Sequence, residues 1–237
     1  MKKLIPASFK RRFRLFQRAY RDWKNRRSIP HAVSRGTLKE PIRLTVSQVI
    51  KRTYLFENKV HNLQRAAGEL EQVIVMPGEM LSFWKIIGDP TAKRGYKNGR
   101  NIVNGTLQEA VGGGLCQLSG IVYHTALLAG LTILERYNHT VDIYKEEDRF
   151  TPLGADATVV YGYKDLRFLN NTAVPLQLSF SFEAESITCG IKSATELTVR
   201  DLQFDRSEGE GFRLVYTKDQ SGTTIAESRY KLERLDP

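Results

Sequence analysis

The chain has 237 residues, of which 41% are hydrophobic and 26% charged, the composition of a globular protein with a buried core. Its formal net charge of +10 comes from residues 1–27, which hold eleven Lys and Arg and one acid, Asp22. The remaining residues carry 25 basic and 25 acidic side chains. This distribution excludes a nucleic-acid-binding surface spread over the whole chain, and it predicts a basic tail on a neutral body.

Cysteine usage and hydropathy narrow the class of protein further. The two cysteines form no Cys-x-x-Cys pair, which argues against a disulfide-stapled secreted fold and against a thiolate zinc site. No segment reaches the roughly 18 apolar residues of a membrane span, and the N-terminus runs into Lys10-Arg11-Arg12 where a signal peptide would be apolar. We expect a cytoplasmic protein, or one peripheral on the inner face of the membrane, with no metal and no cofactor.

The first predicted element is a helix in a tail that we assign to residues 1–30. Its large apolar residues recur at helical steps of four and three, with Lys and Arg between them: Phe9, Phe13, Phe16, Tyr20 and Trp23. An aromatic row on a cationic helix is typical of segments that bind an anionic membrane surface, here through residues 9–27. Packing of the row against the body remains an equal alternative, and nucleic acid is a less expected partner.

Residues 31–237 are predicted to form a single α+β domain. We interpret residues 31–57 as a connecting segment, and the periodicities that follow predict a helix over Asn58–Val73, a strand at Val73–Val75, a strand from Asn101 into an Asn104-Gly105 hairpin turn, a helix over 115–130 and a strand at Leu131–Leu134. The last third is predicted to be β-rich, with strands at Thr158–Tyr161, Val174–Phe182, Ser186–Ile191, Glu196–Arg200 and Phe212–Tyr216.

The strongest chemical signal is Cys116, which follows three glycines, Gly112, Gly113 and Gly114, at the start of the 115–130 helix. The positive end of a helix dipole favours thiolate over thiol, so a cysteine there is suited to be a nucleophile. No Lys-Ser/Thr follows the glycines as a phosphate-binding P-loop requires. The competing interpretation is structural, because a small residue fits a crowded junction.

A nucleophilic cysteine needs a base, and His139 is the best placed of the four histidines. His124 lies eight residues along the same helix, about 12 Å away, and is interpreted as structural, as is Cys189 on an apolar β run. Asp156 could orient the imidazole, with Asp142 as the nearer alternative in sequence. A cysteine at the N-terminus of a central helix that packs on an antiparallel sheet, followed by histidine and aspartate, is an arrangement of the papain or transglutaminase type.

Several ordered motifs resemble the VanW family over roughly residues 58–182. They are Pro77-Gly78-Glu79, Arg94-Gly95-Tyr96, Ile102 to Gly105, Gly112 to Ser119, Leu127 to Leu131, Glu135-Arg136 with His139, and Asp156 through Asn171. The resemblance implies a link to the bacterial cell envelope. Members commonly carry two threonines where this chain has Gly120-Ile121, which puts any ligand role of those hydroxyls in doubt here.

Two functional hypotheses follow. In the first, Cys116, His139 and Asp156 catalyse attack on an amide of peptidoglycan or its precursors. In the second, the protein is a non-catalytic module that binds a peptide or cell-wall precursor, and its basic tail brings it to the membrane. Its ligand-binding residues would be Gly112, Gly113, Gly114, Gln117, Ser119, Arg94, Tyr96 and Arg136.

Overall fold

The structure, a computed structural model, describes residues 7–25, 29–103, 106–142, 146 and 149–232. Its α-helices are α1 (Ala7–Asn25), α2 (Phe56–Glu71), α3 (Phe83–Ile87) and α4 (Leu115–Leu128). Its strands are β1 (Ile42–Val49), β2 (Ile74–Val75), β3 (Met80–Ser82), β4 (Asn98–Val103), β5 (Thr106–Val111), β6 (Thr132–Glu135), β7 (Arg167–Leu169), β8 (Leu176–Glu183), β9 (Ser186–Ser193), β10 (Gln203–Gly209), β11 (Phe212–Lys218) and β12 (Thr224–Lys231).

The strands pair antiparallel in four groups, which confirms a mixed α+β fold with antiparallel sheets. The largest sheet has the order β1-β9-β8-β2, and two three-stranded sheets have the orders β3-β7-β6 and β10-β11-β12. The fourth group is the β4-β5 hairpin. A papain-like or transglutaminase-like fold stays a prediction.

The main core lies between the largest sheet and helices α2 and α4. Helical spacing puts Leu63 and Leu70 on one face of α2, and both are fully buried. Leu118, Ile121 and Val122 of α4 are equally buried, and α4 contacts β1 and β9. Burying each such side chain contributes about 1.5–3 kcal/mol. The core therefore fixes the position of α4, and with it the position of Cys116.

Part of the predicted secondary structure was wrong. Thr158–Tyr161 is not a strand, because the chain turns sharply at Gly162 (φ 82°) and only Val160 pairs, with Lys164. Glu196–Arg200 runs without strand pairing, although the Arg200 N–H donates to the carbonyl of Leu128 at 2.8 Å. The 31–57 segment contains β1, an edge strand of the main sheet, where a connection was expected. The predicted hairpin turn at 104–105 lies outside the described residues.

The C-terminal sheet packs on the loop around residue 154 through a second, smaller core. Leu153, Val215 and Tyr230 are buried together, with Phe204 against them. A side chain at Gly154 would come within 2.9 Å of Val215, so glycine allows this close approach. The ring of His124 in α4 lies edge-on to Phe204, at 6.4 Å between centroids. The last strands are thus tied to both the 150s loop and α4.

Helix α1 lies against the body through ion pairs. Arg18 contacts Glu135 at 2.6 Å, and Asp22 contacts Arg167 at 2.7 Å. The polar face of α1 is thus engaged with β6 and β7. Among the described residues, no helix combines the length and apolar character needed to cross a bilayer.

Candidate active site

Cys116 is delivered by the glycine run onto the first turn of α4. Gly114 caps the helix at a φ of 100°, a left-handed conformation that favours glycine. Gly113 packs directly on Gly99 of β4, and a Cβ at Gly113 would lie 2.3 Å from the Gly99 carbonyl carbon. The glycines are therefore explained by backbone contacts that bring β4 and the start of α4 together.

The segment from Asp156 to Val159 crosses the start of α4 beside the sulfur. Ser119 Oγ donates to the carbonyl of Ala157 at 2.6 Å, which fixes this crossing. Cys116 Sγ lies 3.5 Å from Thr158 Oγ1 and 3.8 Å from the carbonyl oxygen of Val159. Cys116 as a residue is half-buried, whereas the other cysteine, Cys189, is buried.

His139 and Asp156 meet at the same place. The Nδ1 of His139 lies 2.6 Å from Asp156 Oδ2, and the backbone N–H of His139 donates to the same oxygen at 2.7 Å. These two contacts orient the imidazole, which also interacts with the Cys116 thiol. Asp142 is not the orienting carboxylate, because it pairs with Arg149 and Arg213, both within 2.8 Å. The structure therefore brings Cys116, His139 and Asp156 together.

The three groups shift one another's protonation. Burial opposes ionisation of the Cys116 thiol, but interaction with the His139 imidazole outweighs it and lowers the pKa of the thiol. Burial likewise opposes charge on His139, whereas Asp156 and Cys116 raise its pKa to about 10. The pKa of Asp156 lies well below its usual range because its contacts with His139 and Arg136 outweigh burial. These directions favour a thiolate–imidazolium pair backed by a carboxylate.

Arg136 and Tyr230 brace the carboxylate from the far side. Arg136 donates to Asp156 Oδ1 at 3.0 Å, to the Asp156 carbonyl at 2.7 Å and to Ser228 Oγ at 2.6 Å. The Tyr230 hydroxyl donates to Asp156 Oδ1 and accepts from the Gly154 N–H. Sequence reasoning missed Tyr230, since nothing near it in the sequence marks a site and its partner lies 74 residues away.

Several side chains that were predicted to bind a ligand make hydrogen bonds within the protein instead. Gln117 Nε2 donates to the carbonyl of Val49 at 2.9 Å, and Arg94 donates to the carbonyls of Ile87 and Asp89. Arg136 braces Asp156 as described above. Tyr96 is buried, and its hydroxyl has no hydrogen-bond partner among the described residues. A ligand-binding role for these residues stays a prediction.

Lys59 of α2 is a further basic group beside the glycine run. A Cβ at Gly114 would meet Lys59 Cγ at 2.7 Å, so the lysine stem lies over the start of α4. Burial, followed by the charge of Arg100, lowers the pKa of Lys59 to about 8. No ion-pair partner for Lys59 is present within the described residues. Sequence reasoning did not single out Lys59.

No metal centre is formed by the residues whose positions are described. Among them, no group of three or more His, Cys, Asp or Glu side chains could hold an ion.

Comparison with known proteins gives one family. The family model described as VanW like protein matches residues 58–192. The chain is 36% identical over 131 residues to "Vancomycin B-type resistance protein VanW" of Enterococcus faecalis, a match that covers 55% of this chain and 48% of that protein. It is 38% identical over 120 residues to "Uncharacterized protein YoaR" of Bacillus subtilis, covering 51% of this chain and 38% of that protein. The matched region thus spans half or less of each relative, and no solved structure matches.

Proposed function

Because this chain belongs to the VanW family, we propose that it is a cell-envelope-associated enzyme that uses Cys116 to cleave or transfer an amide of peptidoglycan or its precursors. The observation that carries the proposal is the contact between His139 and Asp156 beside the Cys116 sulfur. The Enterococcus relative is named a vancomycin resistance protein, which is consistent with the cell-envelope link that the family resemblance implies.

The chemistry follows from the charges of the three groups. The Cys116 thiolate attacks the amide carbonyl carbon, and a carbon–sulfur bond forms. The oxyanion lies near the N–H groups of the first turn of α4, where the helix dipole is positive. The His139 imidazolium gives its proton to the leaving amine as the carbon–nitrogen bond breaks. Water or an acceptor amine then attacks the thioester carbonyl carbon and gives its proton to the His139 imidazole. The carbon–sulfur bond breaks, the carboxylic acid or new amide leaves, and the thiolate–imidazolium pair is regenerated.

Asp156 acts on this cycle through His139. Its carboxylate holds the imidazole in one orientation and stabilises the imidazolium. Arg136 and Tyr230 keep the carboxylate in place and ionised, so they act as positioning residues. Because Tyr230 lies in β12, the proposed enzyme depends on strands beyond the 58–192 family match.

Alkylation of the two cysteines tests the proposal within one molecule. Cys116 is half-buried with a lowered pKa, whereas Cys189 is fully buried and its pKa is raised to about 12. We expect iodoacetamide to modify Cys116 at least about tenfold faster than Cys189 at neutral pH, because the thiolate is the reactive form. Peptide mass spectrometry over a time course measures both rates.

A variant and a substrate assay complete this test. His139→Ala should slow alkylation of Cys116 and leave Cys189 unaffected, and Cys116→Ser should abolish turnover of purified muropeptides. Equal, slow rates at the two cysteines, or turnover that survives in Cys116→Ser, would show that the site is not a cysteine nucleophile.

The alternative is a non-catalytic binding module, which is favoured by the half-buried Lys59, whose stem lies beside the glycine run. Such a cation suits a carboxylate of a peptide ligand. In that case muropeptide binding, measured by calorimetry, would be weakened in Lys59→Met and retained in Cys116→Ser, without any turnover in the wild type.

A further inference from the structure

The outward face of α1 exposes a row of aromatic side chains. Fractional exposure is between 54% and 68% for all five members: Phe9, Phe13, Phe16, Tyr20 and Trp23. Single exposed aromatics are common on proteins, but a continuous row along one helix face is typical of an interaction surface. Within the row, the rings of Tyr20 and Trp23 are in contact, with 6.0 Å between their centroids.

The opposite face of the same helix is what contacts the body. Arg18 pairs with Glu135 and Asp165, and Asp22 pairs with Arg167. Leu15 lies close to Gly162, because a Cβ added at that glycine would lie 3.5 Å from Leu15 Cγ. At 100° per residue these positions lie nearly opposite the aromatic row. The docked helix therefore turns its aromatic face outward instead of burying it in the protein.

The charges around the row are of one sign. Asp22 is the single acid of α1 and is neutralised by Arg167. In helical projection the aromatic row is flanked by Arg12 on one side and by Lys10, Arg14, Arg21 and Lys24 on the other. A shallow recess between α1 and the body is lined by Lys10, Phe13, Arg14, Gln17 and Tyr163, which adds another ring beside two cations.

We propose that this surface docks the protein on a bilayer containing anionic phospholipid. The rings enter the boundary between headgroups and acyl chains, and the flanking Lys and Arg side chains contact lipid phosphates. The aromatic row favours a bilayer over a nucleic acid duplex, because the outermost groups of the helix are large apolar rings, with the cations at their sides.

Docking in this way would also orient the candidate active site. Arg18 binds Glu135, and the next residue, Arg136, holds the carboxylate of Asp156. The next residue along the chain, Tyr137, is also in contact with the body: the Lys164 ammonium lies over its ring, 5.5 Å from the ring centroid. Through Glu135 the helix is thus joined to the end of β6, from which the chain continues to His139. This orientation is independent of whether Cys116 is a nucleophile.

Vesicle flotation of the full chain tests the proposal. We expect the protein to float with vesicles of phosphatidylcholine and phosphatidylglycerol, and much less with phosphatidylcholine alone, because the basic flanks need anionic headgroups. The double variant Phe16→Ala/Trp23→Ala should reduce the partition coefficient at least tenfold. Tyr54→Ala removes an aromatic of similar exposure, 73%, outside α1 and should leave flotation unchanged.

Tryptophan fluorescence gives a second readout. Trp23 is 67% exposed and Trp84 is 9% exposed, so a blue shift on adding anionic vesicles should come from Trp23. Trp23→Phe should abolish the shift while flotation persists. The proposal is overturned by equal flotation with both vesicle types, by flotation that Phe16→Ala/Trp23→Ala does not alter, by tighter binding to a DNA duplex than to anionic vesicles, or by dimerisation through the aromatic row in sedimentation experiments.

Discussion

At the scale of single residues, the carboxylate of Asp156 is the central group of the candidate site, because several side chains bind it. Asp156 accepts hydrogen bonds from His139, Arg136 and Tyr230 while 15% of its side chain stays exposed. Its charge stabilises the imidazolium of His139, and the imidazolium in turn stabilises the Cys116 thiolate. Removing the charge of Asp156 should therefore change the pKa of Cys116, although the two residues belong to different segments.

Asp156→Asn tests this coupling through the pH dependence of Cys116 alkylation. Loss of the carboxylate charge lowers the pKa of His139, so the thiolate loses its cationic partner and the pKa of Cys116 rises. We expect the midpoint of the alkylation rate against pH to move at least about one unit to higher pH, equivalent to about 1.4 kcal/mol. An unchanged midpoint would mean that Asp156 does not support the ion pair. Asp142→Asn is the matched control, because Asp142 pairs with Arg149 and Arg213 instead.

At the scale of elements, partly buried ion pairs are a main part of what holds α1 on the body. The Asp22 side chain is 25% exposed and that of Arg167 is 13% exposed. Burial opposes the charge of Asp22, but the contacts with His31 and Arg167 lower its pKa. Removing one partner of such a pair costs more free energy than removing one partner of an exposed pair, because the remaining charge is left partly buried.

Asp22→Asn should therefore loosen α1 without unfolding the body. We expect amide hydrogens of residues 9–24 to exchange at least about tenfold faster, equivalent to about 1.4 kcal/mol in the opening equilibrium. Hydrogen exchange read by mass spectrometry would show this, with α4 as an internal reference. The control is Asp201→Asn, because Asp201 is exposed and lies outside the ion pairs described for α1. Unchanged exchange in α1 would contradict the role given to this ion pair.

How far the sequence predicts these elements depends on whether their pattern is local. Helices α2 and α4 follow from the 3.6-residue spacing of apolar side chains, and the glycines before Cys116 indicated its place at a helix start. The strand β1 was missed because it lies at an edge with only Gln48 buried, so its alternation is weak. Likewise, no local pattern could bring Tyr230 to Asp156, because that contact depends on how β12 packs on the 150s loop.

At the scale of the whole molecule, the family-matched region and the strands beyond it are joined at the site. The match ends at residue 192, yet β12 contributes the Tyr230 and Ser228 hydroxyls to the group around Arg136 and Asp156. Tyr230 also lies at the centre of the second core. The C-terminal sheet and the body are therefore expected to unfold together.

Tyr230→Phe tests whether the C-terminal sheet and the body are joined through Tyr230. The substitution keeps the ring but leaves the buried Gly154 N–H and the Asp156 oxygen each without one partner, which should lower the free energy of unfolding by about 1–3 kcal/mol. Urea unfolding followed by circular dichroism measures the change. Tyr216→Phe, on β11, should have a smaller effect, since its hydroxyl lies outside the group around Asp156. A separate early transition for the C-terminal sheet in the wild type would contradict joint unfolding.

The contact between Gly99 and Gly113 constrains how this protein can change by mutation. A Cβ at Gly99 would lie 2.9 Å from the Gly113 carbonyl oxygen, and a Cβ at Gly113 would lie 2.3 Å from the Gly99 carbonyl carbon. Each clash is with main chain, so no second substitution elsewhere can relieve it by shortening a side chain. We therefore expect that any library of variants selected for a folded site retains glycine at both positions.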